Sequence, residues 1–321
     1  MKAARIEELG RPAVLREIDP PVGKEGQALI ALSAVPLNPI DIATSTGRFY
    51  GGSPPTPYTP GSEGVGKVVE AESLAAGTRV YVTGDGLGRR RDGTLAELAV
   101  AAEEAAVPLP DEVAGELAGA CGTAGLAGWL PVVWRAETKP EDRVLVLGAT
   151  GAVGLAAVQA ARILGAARIV AAGRRPEGLE LALERGADEV VRLDAEDLPA
   201  ALREAAGGEG PTVVIDPLWG PPLVAALEAA TRGARIVQLG QSAGATAEIP
   251  SALVRGKQLE ILGYSNLEVP DEVRRAAYLE LIVHACEGRV SFPIETYPLD
   301  RVTEAWERQA AGPGAKLIVT I

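Results

Sequence analysis

Six short apolar runs alternate with helical segments between residues 144 and 263, and this alternation constrains the fold more than any other feature. The runs are VLVL (144–147), RIVAA (168–172), EVVRL (189–193), TVVID (212–216), RIVQL (235–239) and LEILG (259–263). The segments between them are rich in alanine and leucine, and three stop at a glycine, Gly165, Gly186 or Gly207. Apolar strands alternating with helices predict an α/β domain with a doubly wound parallel sheet.

The flanking residues have a different texture. Residues 1 to about 115 are rich in proline, glycine and β-branched residues, with short runs such as QALIALSAV, GVGKVVEA and TRVYVTG. This pattern predicts a compact all-β unit. The tail from about 257 holds one sheet strand, a helix around 271–287 and the strand-like pieces FPIETYPL and AKLIVTI. We expect one domain of residues 1–115 with 257–321, and a second domain of residues 116–256 inserted in it.

Charge and hydropathy exclude several classes of partner. The chain has 321 residues, 31 of them basic and 43 acidic, for a net charge of −12. Such a balance disfavours nucleic acid or an anionic membrane surface as the main partner. The N-terminus MKAARIEELG has no apolar leader, and we expect no uncharged stretch as long as the roughly 18 apolar residues of a membrane span. The sequence therefore predicts a cytoplasmic protein.

Soft metal ligands are scarce. Only Cys121, Cys286 and His284 supply thiol or imidazole groups. A zinc site of four cysteines is impossible, and a catalytic site of three Cys and His ligands is strongly disfavoured, so we predict no metal. His284 lies in LELIVHACEG, where the apolar spacing favours a core helix over a catalytic histidine.

The strand VLVL runs directly into the glycine-rich turn GATGAVG (148–154) and then into a helix. Glycines at such a turn let a pyrophosphate approach bare backbone, and the helix N-terminus offers it unpaired N–H groups. Because a strand precedes the turn and RIVAA closes the βαβ unit, we predict a dinucleotide site. The predicted contacts are Gly148, Ala149, Thr150, Gly151, Ala152 and Val153.

The end of the second strand favours NADP(H) over NAD. An NAD site usually places an acidic residue about 20 positions beyond the glycines. Here that region reads Gly173-Arg174-Arg175. Two guanidinium groups suit a ribose 2′-phosphate, and the alternative is a pair of solvated loop arginines.

Taken together, several short motifs resemble one known family. They are LNPID (37–41), PGSEGVG (60–66), GTLAE (93–97), the glycine turn, IDP (215–217), GARIV (233–237) and AKLI (315–318). In order and spacing they resemble the zinc-independent quinone oxidoreductase (zeta-crystallin-like) branch of the medium-chain dehydrogenase/reductase superfamily, over essentially the whole chain. The resemblance implies a GroES-like β-barrel catalytic domain, a Rossmann NADP(H)-binding domain and an active-site cleft where they meet.

The resemblance also accounts for the scarcity of metal ligands. Zinc alcohol dehydrogenases carry a cysteine where Asn38 stands and a histidine where Ser62 stands, and Thr123 fills the third ligand position. Related zinc-free enzymes reduce quinones or the activated double bonds of enones, enals or enoyl thioesters. We therefore expect an NADPH-dependent reductase of a small quinone or enone.

Site residues follow from the resemblance and from positions at the ends of strands. Asn38, as a hydrogen-bond donor, and Asp41 are expected near the nicotinamide, with Tyr50 as a candidate proton donor. Ala127 replaces a threonine that is common in the family, so Thr123 is a candidate nicotinamide contact. Loops at the carboxyl ends of parallel strands are expected to wall the cofactor. Their predicted contacts are Gly173, Arg174, Arg175, Asp216, Leu239, Gly240, Gln241, Tyr264 and Ser265.

Alternatives remain open at this stage. Within enzymes, the alternative is an enoyl-thioester reductase of the same superfamily. A short-chain dehydrogenase is opposed by the position of the glycine turn, and because no tyrosine has a lysine four residues on. A protein that binds NADPH with little catalysis is the alternative from another class. The strand LEILGY is expected to pair across a two-fold axis, which predicts a homodimer.

Overall fold

The computed structural model describes residues 1–321 and divides into two units. Unit 1 comprises Met1–Thr123 and Phe292–Ile321, and unit 2 comprises Ala124–Ser291. The predicted insertion of one domain within another is therefore present. The predicted boundaries at 115 and 257 are wrong, and the reasons lie in the pairing and packing of the elements.

The first part of unit 1 holds seven strands and two short helices. They are β1 (Lys2–Arg5), β2 (Val14–Glu17), β3 (Gln27–Pro36), α1 (Pro39–Ser45), β4 (Glu63–Glu70), β5 (Arg79–Thr83), β6 (Leu98–Ala102), β7 (Ala106–Pro108) and α2 (Gly115–Ala120). The alternating burial along β3 matches its predicted alternation of apolar side chains. The prediction of an all-β unit missed α1 and α2.

Unit 2 alternates helices with parallel strands. Its elements are α3 (Leu126–Leu130), β8 (Arg143–Leu147), α4 (Ala152–Ile163), β9 (Arg168–Gly173), α5 (Pro176–Glu184), β10 (Glu189–Arg192), α6 (Leu198–Ala205), β11 (Val213–Asp216), α7 (Gly220–Ala229), β12 (Arg235–Gln238), α8 (Ser251–Lys257), β13 (Glu260–Gly263) and α9 (Asp271–Cys286). The sheet order is β10-β9-β8-β11-β12-β13, all parallel. This is the predicted doubly wound sheet.

The chain then returns to unit 1 through β14 (Ile294–Pro298), α10 (Val302–Ala310) and β15 (Lys316–Thr320). The strands β14-β15-β3-β4-β5-β7 form a seven-stranded sheet with β6, which pairs with β3. The core of unit 1 includes Leu37, Trp306 and Leu317, and that of unit 2 includes Leu145, Leu227 and Ile236.

Two observations move the second boundary from 257 to 291. β13 pairs with β12 in register from Arg235 opposite Glu260, so it belongs to the parallel sheet. α9 packs on α3, where the Trp129 ring lies 5.1 Å from that of His284. β13 therefore pairs, and α9 packs, within unit 2, and only the residues from Phe292 return to unit 1.

One helical stretch, Gly115–Arg135, is long and apolar enough to cross a bilayer by length and composition alone. The expectation that the chain has no such stretch is wrong. Its most apolar window is 72% buried within the protein, which is typical of a core helix in a folded domain.

Candidate functional site

The glycine turn of unit 2 follows β8 directly. Gly148 has a φ of 63°, a conformation that favours glycine, and the Ala149 N–H donates to the Ala172 carbonyl at 3.0 Å. Gly151 is the N-cap of α4 and provides no side-chain cap. Because the first intrahelical bond runs from Leu155 N–H to the Gly151 carbonyl, the preceding helix N–H groups are free to bind an anion.

Two glycines of this turn have different steric surroundings. A Cβ on Gly154 would lie 2.5 Å from both the Ala149 Cα and the Gly148 carbonyl oxygen, so Gly154 permits the close approach of helix and strand. A Cβ on Gly151 would meet only the Gly148 carbonyl oxygen, at 3.8 Å. Packing therefore does not require glycine at 151, whereas a pyrophosphate lying against the backbone would.

The arginine pair follows β9 and differs in its contacts. Arg175 donates to the Thr150 carbonyl oxygen, which holds its guanidinium at the glycine turn. Arg174 is exposed and makes no hydrogen bond or ion pair. The Thr150 side chain packs so closely over Gly173 and Gly178 that a Cβ on either would clash with it. The residues of this edge fit a dinucleotide with a 2′-phosphate.

The loop after β11 is shaped by Asp216. This buried side chain accepts N–H donations from Leu218 and Trp219, both at 2.9 Å, through Oδ1. Burial raises the pKa of Asp216, while the two backbone donors lower it. Asp216 Oδ1 therefore holds its own loop, Oδ2 has no hydrogen-bond partner, and the predicted cofactor contact of Asp216 stays a prediction. Trp219 packs against the core of unit 2.

The loops after β12 and β13 lie at the same edge of the parallel sheet. Leu239 and Gly240 are partly exposed and Gln241 is exposed. A Cβ on Gly240 would lie 2.5 Å from the Pro217 carbonyl oxygen, so two of these loops touch each other. The Tyr264 hydroxyl donates to Asn266 Oδ1, and Ser265 Oγ accepts the Leu267 N–H at 3.3 Å. These contacts do not test the predicted cofactor contacts of this edge, which stay predictions for Leu239, Gly240, Gln241, Tyr264 and Ser265.

Unit 1 contains a buried polar cluster that sequence reasoning only partly identified. Asn38, Asp41, Ser62, Glu63 and Lys316 are each at most 6% exposed, although they come from separate segments of the chain. We call these five residues the polar cluster. Glu63 is its anchor, because Oε1 accepts from Asn38 Nδ2 at 2.7 Å and Oε2 accepts from the Tyr81 hydroxyl and the Thr123 N–H, both at 2.6 Å.

Asn38 joins Lys316 to Glu63 within the polar cluster. Its Oδ1 accepts from Lys316 Nζ at 2.6 Å, while its Nδ2 donates to Glu63. Ammonium only donates and an ionised carboxylate only accepts, so this pairing fixes the orientation of the amide. Asn38 Nδ2 carries a second N–H beyond the one donated to Glu63, so the expectation of Asn38 as a hydrogen-bond donor near the nicotinamide stays a prediction.

Asp41 is only partly satisfied by hydrogen bonds within the polar cluster. Its Oδ2 accepts the Asn38 backbone N–H at 2.8 Å, and its buried Oδ1 has no hydrogen-bond partner. Burial raises the pKa of Asp41 to about 6; the Asn38 N–H, Ser62 and Lys316 lower it, and the Glu63 charge raises it. A carboxyl that titrates in this range suits proton transfer.

Helix geometry at Gly122 brings the Thr123 N–H to Glu63. Gly122 has a ψ of −128°, which breaks the helical path between α2 and α3. A Cβ there would lie 2.2 Å from Glu63 Oε2 and 2.7 Å from the Tyr81 hydroxyl oxygen. Glycine at 122 therefore lets a buried carboxylate approach the helix backbone. Thr123 itself lies in unit 1, and its predicted cofactor contact stays a prediction.

The structure brings together Asn38 and Asp41 but not Tyr50. Tyr50 is 80% exposed, its ring packs against Phe49 at 4.5 Å, and its hydroxyl has no hydrogen bond to the polar cluster. His284 is buried beside Trp129, and burial lowers the pKa of its imidazole. The expected core role of His284 agrees with this position.

Comparison with known proteins gives matches to both units. Residues 24–111 match the model of the alcohol dehydrogenase GroES-like domain, and residues 152–282 match that of the zinc-binding dehydrogenase. The human quinone oxidoreductase is 30% identical over 325 residues, which cover 98% of this chain and 95% of the relative. The quinone oxidoreductase of Thermus thermophilus, solved also in complex with NADPH, is 28% identical with a TM-score of 0.81 over 100% of both chains. An NAD-dependent alcohol dehydrogenase superposes over 100% of both chains with a TM-score of 0.90 at 25% identity.

The chain belongs to the zinc-independent quinone oxidoreductase branch of the medium-chain dehydrogenase/reductase superfamily. It is therefore an oxidoreductase with a GroES-like unit and a Rossmann unit. The family resemblance and the fold class predicted from the sequence motifs are both confirmed.

This oxidoreductase does not carry a donor set that fits zinc. The resemblance implies that Asn38, Ser62 and Thr123 stand at the ligand positions of the zinc enzymes, and the Asn38 amide is already engaged by Lys316 and Glu63. No group of three or more His, Cys, Asp or Glu side chains is arranged to hold a metal ion. No catalytic step is assigned to zinc.

The sequence motifs indicated no role for Glu63 and Lys316 of this chain. Both residues nevertheless lie within motifs, Glu63 in PGSEGVG (60–66) and Lys316 in AKLI (315–318). A signal was available for Lys316, because a lysine opens the apolar strand KLIVT, which is buried along four of its five residues. A charged residue in such a strand requires a buried partner. Its partners Asn38 and Glu63 are far away in sequence, so the signal does not identify them.

Proposed function

We propose that this chain is an NADPH-dependent, metal-free reductase that transfers hydride to a quinone or to the activated double bond of an enone or enal. The observation that carries the cofactor choice is the unpaired Arg174 after β9, beside an Arg175 held at the glycine turn. The name of the human relative and the NADPH complex of the T. thermophilus relative support the same assignment.

The bound cofactor would supply a hydride from its nicotinamide. The residues of unit 2 bind and orient it: the free N–H groups at the start of α4 receive the pyrophosphate, and Arg174 and Arg175 receive the 2′-phosphate. The loops after β11, β12 and β13 border the site at the carboxyl ends of their strands. Hydride transfer needs these residues to hold the cofactor in one geometry, since positioning supplies much of the rate.

The test of cofactor choice is the affinity of Arg174→Ala for the two cofactors. A charge-assisted contact to the 2′-phosphate is worth about 1.5–3 kcal/mol, so we expect the Kd for NADPH to rise about 10- to 150-fold while that for NADH is unchanged. Arg192→Ala is the control, because Arg192 is exposed and pairs with Asp194. Equal losses for both cofactors would contradict the proposed role of Arg174.

The test of the reaction is NADPH oxidation by chelator-treated protein against quinones, enones and enoyl thioesters. We expect turnover of quinones or enones, with NADPH preferred over NADH. Preference for enoyl thioesters would move the assignment to the enoyl-thioester reductases of the superfamily. Tight NADPH binding without any turnover would favour a binding protein instead.

We also propose that the chain forms a homodimer in the cytoplasm. β13 is at the edge of its sheet, pairs only with β12, and exposes 38% of Ile261. An unpaired edge can be covered by the same strand of a second copy. Light scattering at micromolar concentration tests this, and a monomer there would contradict it. The free thiols of Cys121 and Cys286 are consistent with a reducing compartment.

A further inference from the structure

The Thr150 side chain of the glycine turn lies against two glycines of unit 2 that follow it in the chain. A Cβ on Gly173, at the end of β9, would clash with Thr150 Cγ2, and a Cβ on Gly178, in the first turn of α5, would lie 2.6 Å from Thr150 Cβ. Neither glycine has a positive φ, so other residues could adopt both conformations. Glycine inside a helix is also unfavourable. The space that Thr150 occupies therefore accounts for glycine at both positions.

Hydrogen bonds attach the glycine turn to the same part of unit 2. The Ala149 N–H donates to the Ala172 carbonyl at 3.0 Å, and the Arg175 guanidinium donates to the Thr150 carbonyl oxygen. Arg175 is also the N-cap residue of α5. The glycine turn is thus attached to the connection between β9 and α5 by a backbone bond, a guanidinium bond and the packing of a threonine side chain.

The two arginines of this connection differ in what they can do for a bound nucleotide. Arg174 is exposed and makes no hydrogen bond within the protein, so it can act only on the ligand. Arg175 is partly buried and bonded to the turn that is predicted to receive the pyrophosphate. Arg175 therefore acts on the shape of the turn as well as on the charge of the site.

We propose that Thr150 and Arg175 form a strut that couples the two anion sites of the nucleotide, the pyrophosphate turn and the loop that receives the 2′-phosphate. This inference rests on the proposed NADPH dependence and adds to it how the spacing of the two sites is maintained. The two phosphate groups of the ligand are joined through one ribose, so the ligand limits their separation. A site whose halves are already held together loses less freedom when it binds. Thr150 and Arg175 are positioning residues in this role, because they act through the turn.

NADH separates the strut from charge recognition, because it binds at the same turn and has no 2′-phosphate. Arg174→Ala is expected to leave the Kd for NADH unchanged. Arg175→Ala removes a charge-assisted hydrogen bond to the turn, so we expect the Kd for NADH to rise about tenfold and that for NADPH at least as much. Calorimetric titration of the purified protein with each cofactor measures both constants.

Arg162→Ala is the matched control for Arg175→Ala. Arg162 lies in the last turn of α4, at the opposite end of that helix from the glycine turn, and its guanidinium donates to the Gly186 carbonyl oxygen at 2.6 and 2.9 Å. The control variant therefore also removes a bond from an arginine to a backbone carbonyl in unit 2. We expect it to leave the Kd for both cofactors unchanged.

The packing of Thr150 can be tested by compensation. Gly173→Ala puts a methyl group on Thr150 Cγ2, which should displace the turn and raise the Kd for NADPH about tenfold or more. Thr150→Ser removes Cγ2, and the atoms then nearest to the new methyl group are Leu179 Cδ2 at 3.2 Å and the hydroxyl oxygen of residue 150 at 3.5 Å. The double variant should therefore bind NADPH within about threefold of the wild type.

The outcomes distinguish the strut from the cofactor choice. An Arg175→Ala variant that binds NADH like the wild type but loses affinity for NADPH would overturn the strut and leave the cofactor choice intact. Equal losses of NADH affinity in Arg162→Ala and Arg175→Ala would overturn the strut as well, because general destabilisation would explain both. A double variant that binds no better than Gly173→Ala would remove Thr150 from it. A wild type that does not prefer NADPH to NADH would refute the cofactor choice, and with it the coupling.

Discussion

The two candidate sites of this chain are built in opposite ways. The nucleotide turn of unit 2 uses consecutive residues, backbone N–H groups and glycines, and its residues 148–154 lie between one strand and the helix that follows it. The polar cluster of unit 1 uses buried side chains from residues 38–41, 62–63 and 316, with Tyr81 donating to its anchor. The nucleotide turn presents consecutive residues to an anion. The polar cluster buries charge by bringing together residues that are far apart in the sequence.

This difference explains how much the sequence could predict. The strands of unit 2 follow from apolar runs, and the helices α4, α5 and α6 end just before the glycines 165, 186 and 207, which have positive φ values of 74°, 111° and 86°. Local chemistry determines such features. The hydrogen bond from Lys316 to Asn38 joins residues 278 positions apart, and periodicity carries no information about such a partner.

The boundary error has the same origin. The strand at 259–263 was recognised as a sheet strand, but the sequence does not say which sheet it joins. The pairing of β13 with β12, with Glu260 opposite Arg235, places this strand in the parallel sheet of unit 2. The helix α9 packs on α3 in the same unit. The unit to which an element belongs depends on contacts between residues distant in the sequence, and so do the hydrogen-bond partners of Lys316.

The largest effect is expected when the polar cluster loses its cation. In Lys316→Met, Asn38 Oδ1 and the Leu37 carbonyl lose their donor, and two buried carboxyls lose the only ammonium near them. Breaking a buried pair from one side costs about 3–5 kcal/mol, which should appear in the free energy of unfolding by urea.

Lys67→Met is the control for that experiment, since Lys67 is exposed on β4 and should change stability by less than about 0.5 kcal/mol. A loss below about 1 kcal/mol in Lys316→Met would show that the cluster does not depend on its cation, and the contrast between the two sites would weaken.

A smaller, pH-dependent effect is expected at Asp41. Its pKa is raised from 3.8 to about 6 in the folded protein, so folding favours the protonated form. The resulting stabilisation is fully present below pH 3.8 and is lost as the pH rises through about 6, a difference of about 3 kcal/mol at roughly 1.36 kcal/mol per pKa unit. Asp41→Asn mimics the neutral carboxyl and removes this dependence.

Urea unfolding of both proteins between about pH 4 and about pH 8 measures that difference. The stability of Asp41→Asn relative to the wild type should increase with pH up to about pH 7 and then stay constant. Parallel curves for the two proteins would mean that Asp41 is as easily ionised in the folded state as in the unfolded state.

Two substitutions at the nucleotide turn separate packing from binding. Gly154→Ala places a methyl group against the Ala149 Cα and should destabilise unit 2 by about 1–3 kcal/mol. Gly151→Ala has space and an extended backbone, with φ of −108°, so its stability should be unchanged. Its Kd for NADPH should rise at least about tenfold, because the methyl group occupies the path of the pyrophosphate. Equal affinity of Gly151→Ala and wild type would show that the pyrophosphate lies elsewhere.

The smallest effect is expected at Tyr50, the proton donor that the resemblance suggests. Tyr50 is 80% exposed and touches Phe49. Removing a hydroxyl in contact with water should change kcat and KM by less than about threefold, whereas removing a general acid costs about 100-fold. Steady-state kinetics of Tyr50→Phe measure this change. A loss of about 100-fold would instead assign proton donation to Tyr50 on its exposed loop.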